Sequence, residues 1–135
     1  MALFGAPVPQ GDAADRALAA ALAMERALVE LNRELAAEGR LPLAIGVGVN
    51  TARVVAGNIG SHRRLNYSVI GDGVNVASRL QSLTRTTEYR TDVITSAATL
   101  AAVRDATKFS PRPLGRTTVK GRAEPVEIFA VGTAS

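Results

Sequence analysis

Asn66-Tyr67-Ser68-Val69-Ile70-Gly71-Asp72-Gly73-Val74-Asn75-Val76-Ala77-Ser78-Arg79-Leu80 is the stretch from which the rest of the chain is read. The β-branched and aromatic run to Ile70 predicts a strand, Gly71 and Gly73 a turn, and the residues from about Asp72 to Thr84 a helix with Val76, Leu80 and Leu83 on its core-facing stripe. Asn75 and Arg79 stand four residues apart, so they share the polar face beside that stripe. An amide and a guanidinium side by side near a helix N-terminus suit an anionic, oxygen-rich ligand such as a ribose triphosphate. Polar pairs at this spacing are also common on plain solvated helix faces, and spacing alone leaves both readings open.

Immediately upstream, Arg53 to Ile59 and Leu65 to Ile70 read as two strands of an antiparallel hairpin whose tip, Gly60-Ser61-His62-Arg63-Arg64, is long and basic. Before it, Leu43 to Val49 alternates with period two, which places Leu43, Ile45, Val47 and Val49 on one face and Ala44, Gly46 and Gly48 on the other. The glycine face permits close approach of another backbone. A helix is predicted from about Asp12, its N-cap, to Glu38, with Leu18, Leu22, Leu28, Leu31 and Leu35 as its apolar stripe and Gly39 and Pro42 as stop signals. Met1 to Phe4 reads as a short strand, ended by a segment containing Pro7 and Pro9.

Downstream, Asp92 to Thr95 reads as a short strand and Ser96 to Val103 as a helix capped by Ser96. Strands near Leu114 to Val119 and Val126 to Val131 follow, joined by Lys120-Gly121-Arg122-Ala123-Glu124-Pro125. Helices interleaved with strands that connect mainly as hairpins predict an α+β sandwich, with helices on one mixed, mainly antiparallel sheet.

Composition narrows the function classes. A chain of 135 residues and 14.1 kDa is one domain. Without cysteine it has no disulfide framework and no thiolate chemistry, which fits a reducing compartment. The longest Ala/Leu run, Ala17 to Met24, is too short to span a bilayer, so a soluble, cytoplasmic protein without a membrane partner is expected. The net charge of +4 is uneven: residues 42 to 135 hold twelve basic and six acidic side chains, an excess of 12 − 6 = +6. Nucleic-acid binding is not expected, because only five aromatic residues accompany that charge.

Other chemistry finds no support. Gly46-Val47-Gly48 lacks the third glycine of a dinucleotide fingerprint and leads into a strand. His62, the only histidine, reads as part of a solvated loop tip, and there is no catalytic-triad or metal-ligand spacing.

Val69 to Leu80 resembles, along its length, the substrate-binding signature of class III nucleotidyl cyclases, the adenylyl and guanylyl cyclases. Gly57-Asn58-Ile59-Gly60 resembles the preceding family strand, Met1 to Pro7 the strand leaving the second metal site, and Val119 to Glu127 the closing hairpin. The resemblance implies a ferredoxin-like cyclase sandwich lacking its first strand-helix-helix-strand portion, with residues 1–135 forming a single partial catalytic domain.

It also implies the conversion of ATP to cyclic AMP and pyrophosphate, a lyase reaction of signal transduction. Asn75 would hold the ribose, Arg79 would stabilise charge on the α-phosphate, and Lys120 would contact the terminal phosphates. Ser68 occupies a base-selecting position that favours ATP over GTP. The family uses two Mg or Mn ions held by two aspartates, and no carboxylate here matches either, so none is expected to bind this chain alone.

Family active sites form between two catalytic domains in a head-to-tail dimer. The chain is therefore expected to keep the ribose and transition-state half-site, to be inactive by itself, and to pair as a homodimer or as a heterodimer with a complete cyclase domain. A regulatory or complementing module and a gene remnant are the alternatives.

Overall fold

The computed structural model describes every residue except 7, 54, 62, 63, 90, 134 and 135, and describes 55–61 and 64–70 by backbone alone. Its elements in chain order are α1 (Ala13–Ala37), β1 (Val47–Val49), β2 (Val55–Ser61), β3 (Arg64–Ile70), α2 (Asp72–Leu83), β4 (Val93–Ser96), α3 (Ala97–Ala102), a 3₁₀ turn (Ala106–Lys108), β5 (Phe109–Thr117) and β6 (Val126–Thr133). Four strands form one sheet in the order β1-β4-β6-β5, and β2 and β3 form a separate antiparallel pair. β1 runs parallel to β4, and the other two pairings are antiparallel, which gives the expected mixed sheet.

Alternation along β4 divides the core between the two faces of this sheet. Val93 points to one side, where it meets Leu18, Ala21 and Leu22 of α1 with Phe109, Val131 and the half-buried Val47 and Val49. Ile94 points to the other, where it meets Val76, Leu80 and Leu83 of α2 with Val119 and Ile128. α1 therefore covers one face and α2 the opposite face.

β5 begins earlier than the sequence suggests and includes Pro111 and Pro113. Its place at the sheet edge explains this, since a proline there loses no ladder bond on its free side. A register shift falls between Pro113 and Gly115. Ser96 caps α3 as expected, its Oγ accepting from the Thr99 N–H at 3.4 Å.

Three expectations need correction. Met1 to Phe4 forms no strand, because none of the described strands pairs with it and a strand exists only where its backbone groups find a ladder. The strand expected over Leu43 to Val49 shrinks to three residues, because β4 offers partners only opposite Val47, Gly48 and Val49. Asp12 precedes α1 but makes no side-chain cap bond, its carboxylate being taken by Arg16 Nε at 2.9 Å. The expected hairpin is present in backbone, with Ser61 opposite Arg64, while His62 and Arg63 of its tip lie outside the described residues.

Candidate active site

The joint between β3 and α2 depends on Gly71. Its φ of 155° and ψ of 166° belong to a region that side chains rarely enter, and this conformation turns an outgoing strand directly into a helix. α2 then seats Val76, Leu80 and Leu83 in the core, which leaves Asn75 and Arg79 exposed on the adjoining face. Neither side chain has a hydrogen-bond or ion-pair partner among the described residues. Their amide and guanidinium groups face solvent from one helix face.

Gly48 fixes how closely α2 lies on β1. A Cβ there would stand 2.3 Å from the Gln81 backbone nitrogen and 2.4 Å from the Ala77 carbonyl oxygen, so only glycine allows this approach. The glycine face expected of β1 thus carries the helix that presents Asn75 and Arg79.

The turn between β5 and β6 comes to the same end of α2. Arg122 Nη1 pairs with Asp72 Oδ2 at 2.9 Å, tying that turn to the first residue of the helix. Lys120 is exposed in the same turn, two residues before Arg122. Asp72 offsets the charge of Arg122, while Arg79 is exposed on the helix without such a partner among the described residues. Ser68 lies on β3 opposite Gly57, three residues before Gly71, and its side chain is outside the described residues.

A network that the sequence reading missed lies beneath the helix end. Asn50 Nδ2 donates to the Gly73 carbonyl at 3.0 Å, and Asn50 Oδ1 accepts from Ser96 Oγ at 2.6 Å. Thr95 Oγ1 donates to the Val49 carbonyl at 2.9 Å, and Thr51 Oγ1 donates to Thr99 Oγ1 at 3.1 Å. Asn50 offers no signal in sequence, because an asparagine just after a strand is an ordinary turn residue. Arg122 likewise reads only as part of a hairpin turn until Asp72 is placed beside it.

A cleft of about 220 Å³ opens next to this network, lined by Asn50, Thr51, Ser96, Arg122 and Glu127 among others. It is smaller than the roughly 300–1,000 Å³ typical of small-molecule sites, and neither Asn75 nor Arg79 lines it. The polar face of α2 is therefore an open surface that can grip one side of a ligand without enclosing it. Among the described residues, no three carboxylate or histidine side chains converge as a metal site.

Two carboxylates elsewhere are perturbed. Asp15 accepts the Arg104 N–H and the Asp105 N–H, both at 2.9 Å, and these bonds hold its carboxyl below the usual carboxylate range. Partial burial, followed by the charge of Asp92, pushes the Glu25 carboxyl up. Both lie on α1, on the opposite face of the sheet from the α2 surface.

Residues 1–132 match the family described as the adenylate and guanylate cyclase catalytic domain. Adenylate cyclase 1 of Rhizobium meliloti is 38% identical over 130 residues, which are 96% of this chain and 19% of that protein. The crystal structure of the adenylyl cyclase CyaB from P. aeruginosa superposes with a TM-score of 0.85 at 32% identity, over 98% of this chain and 66% of that one. The guanylyl cyclase Cya2 superposes with a TM-score of 0.81 at 38% identity, over 98% of this chain and 64% of that one. The chain thus spans about a fifth of the Rhizobium protein and about two thirds of each solved chain. No helix of the described residues is long and apolar enough to cross a membrane.

Proposed function

The chain belongs to the adenylate and guanylate cyclase catalytic domain family, and on that premise we propose that it supplies the ribose- and phosphate-binding half of a cyclase active site. The observation that carries this reading is the open polar face of α2. There Asn75 and Arg79 project together, and the Asp72–Arg122 pair ties the turn that carries Lys120 to the start of the same helix.

The reaction is the conversion of ATP to cyclic AMP and pyrophosphate, in which the ribose 3′-hydroxyl attacks the α-phosphorus in line. Asn75 orients the ribose through its amide. Arg79 offers a planar fork of donors to the α-phosphate oxygens as negative charge shifts on them. Lys120 meets the terminal phosphates as a point charge on a flexible stem. Ser68 selects the base and favours ATP. Relatives of both base specificities match this chain, so the preference for ATP rests on that one position.

Positioning and electrostatic stabilisation supply most of such a barrier reduction, and half of the apparatus supplies only part of it. Two divalent ions would supply charge neutralisation at the phosphates and acidify the attacking hydroxyl in the family's reaction, and in this reading their donors come from the other member of a dimer. Residues 1–135 by themselves accordingly do not turn over ATP. They act in a head-to-tail dimer whose other member brings the metal half.

The test is to mix this chain with a complete cyclase whose own ribose asparagine and transition-state arginine have been replaced, in ATP and manganese. Cyclic AMP formation is expected to return. A mixture that stays silent while the two chains demonstrably associate overturns the proposal.

A further inference from the structure

The geometry points to Asn50 as a positioning residue that sets the placement of the helix face bearing Asn75 and Arg79. This inference concerns the same surface as the proposed half-site and rests on that reading only for its effect on catalysis. Besides its core side chains and the Asp72–Arg122 pair, α2 meets the end of β1 at two points that a sliding or tilting helix would have to break. The first is Gly48, against which the backbone at Ala77 and Gln81 lies too closely for any side chain to intervene. That contact limits how near the helix comes, but it is a steric limit and does not fix its direction.

The second is the bond from Asn50 Nδ2 to the Gly73 carbonyl at 3.0 Å, and it is directional. Gly73 is buried in the first turn of α2, one turn before Ala77. Its carbonyl has a second lone pair free beyond the bond it accepts within the helix. Asn50 is itself held from behind, because its Oδ1 accepts from Ser96 Oγ at 2.6 Å. Ser96 is buried at the end of β4 and caps α3, so the anchor reaches back into the most buried strand of the sheet.

The amide thus has both of its ends used, one on the moving part and one on the fixed part. Asn75 and Arg79 stand within two turns of Gly73, and a small rotation there is carried directly to both side chains. Misplacement of reacting groups by about 1 Å can lower a rate by about a hundredfold.

The substitution Asn50→Asp separates the two bonds. It keeps size and the acceptor for Ser96 Oγ, removes the donor, and sets a carboxylate against the Gly73 carbonyl. Amide hydrogen exchange of the whole chain is read at Val76 to Ser78 and, as reference, in β4 and β6. Exchange at Val76 to Ser78 is expected to speed up about tenfold or more, with β4 and β6 unchanged.

In the mixing assay, Asn50→Asp and Asn50→Ala are expected to lower kcat for ATP about 10- to 100-fold, with KM altered less than about threefold. If Asn50→Ala does not fold, Asn50→Asp decides alone. Unchanged exchange at Val76 to Ser78, or equal loosening of α2 and the sheet, overturns the inference. Unchanged kcat in a working mixture overturns it as well. A mixture that is silent with the unsubstituted chain contradicts the half-site reading, and the exchange pattern then decides whether Asn50 places α2.

Discussion

α2 and the C-terminal half of α1 are amphipathic helices on opposite faces of one sheet, and they are finished to very different degrees. On α2 every core position is closed: Val76, Leu80 and Leu83 are 1%, 0% and 5% exposed. On α1 the first turns are equally closed, with Leu18 at 0% and Leu22 at 4%, but Leu31 is 41% and Val29 51% exposed farther along before Leu35 closes again at 7%. The cause is what lies underneath. α2 rests on three strands and on the glycine face of β1, whereas α1 spans 25 residues, about 37 Å, and passes beyond a first strand only three residues long.

Asn32 ties that far half down through paired bonds to Leu43, its Nδ2 donating to the carbonyl at 2.9 Å and its Oδ1 accepting from the N–H at 2.8 Å. Glu25 nonetheless shares a small cleft there with Leu28, Val29, Leu43 and Ile45. The helix that presents Asn75 and Arg79 is therefore the more fully packed one, as a surface that must hold charged groups in register requires. The apolar surface left open lies on the other face.

The sharpest way to break this comparison is to truncate one leucine on each helix. Leu80→Ala is expected to cost about 2–5 kcal/mol in denaturant unfolding, and Leu31→Ala below about 1 kcal/mol. Equal losses would mean that the two helices are packed alike. Next in size, Arg79→Ala is expected to lower cyclic AMP formation in the mixing assay by about 10²–10³ with the midpoint of unfolding unchanged, since the side chain is exposed and makes no hydrogen bond or ion pair among the described residues. A shift in the midpoint would make Arg79 a structural residue.

Gly48→Ala acts on packing and function together. The new methyl meets the backbone of α2, which cannot yield as a flexible side chain would, and a cost of about 1–3 kcal/mol is expected. Loss of activity beyond that of a stability-matched core variant would show that the close approach places the half-site.

The smallest effects are those of pH, and the two carboxylates of α1 have opposite signs. Asp15 is held below its unfolded value, so its contribution is present at neutral pH and is lost as pH falls below about 4. Glu25 is held above its unfolded value, so its charged form opposes folding at neutral pH and the penalty lifts as pH falls through its folded value. Glu25→Gln is expected to stabilise the chain at pH 7 by no more than about 0.5 kcal/mol, and Asp15→Asn to flatten the loss in acid. A destabilising Glu25→Gln at pH 7 would place the strain elsewhere.

Much of this was legible in the sequence because local rules and tertiary structure agree. The turn glycines and the Val76-Leu80-Leu83 stripe predict the elements that form, and Gly48 marks the close approach of α2 even though the strand around it is only Val47–Val49. The family signature from Val69 to Leu80 names the same fold that the comparisons show. What was not legible depends on partners distant in sequence. Met1 to Phe4 has strand-like residues and no ladder to join. Leu31 keeps the helical period, and its exposure follows from where the sheet ends. Asn50 looks like any turn asparagine until Gly73 and Ser96, 23 and 46 positions away, meet its amide.

The central claim is that Asn75 and Arg79 complete an active site whose metal half comes from elsewhere. Its most direct test is a titration of this chain into a fixed amount of the cyclase lacking its own asparagine and arginine, with ATP and manganese and with cyclic AMP as the readout. Activity is predicted to be absent from either chain alone, to rise with added chain and saturate near one copy per partner copy, and to vanish with the Asn75→Ala, Arg79→Ala double variant. Turnover by this chain alone, or equal activity from the double variant, would contradict it.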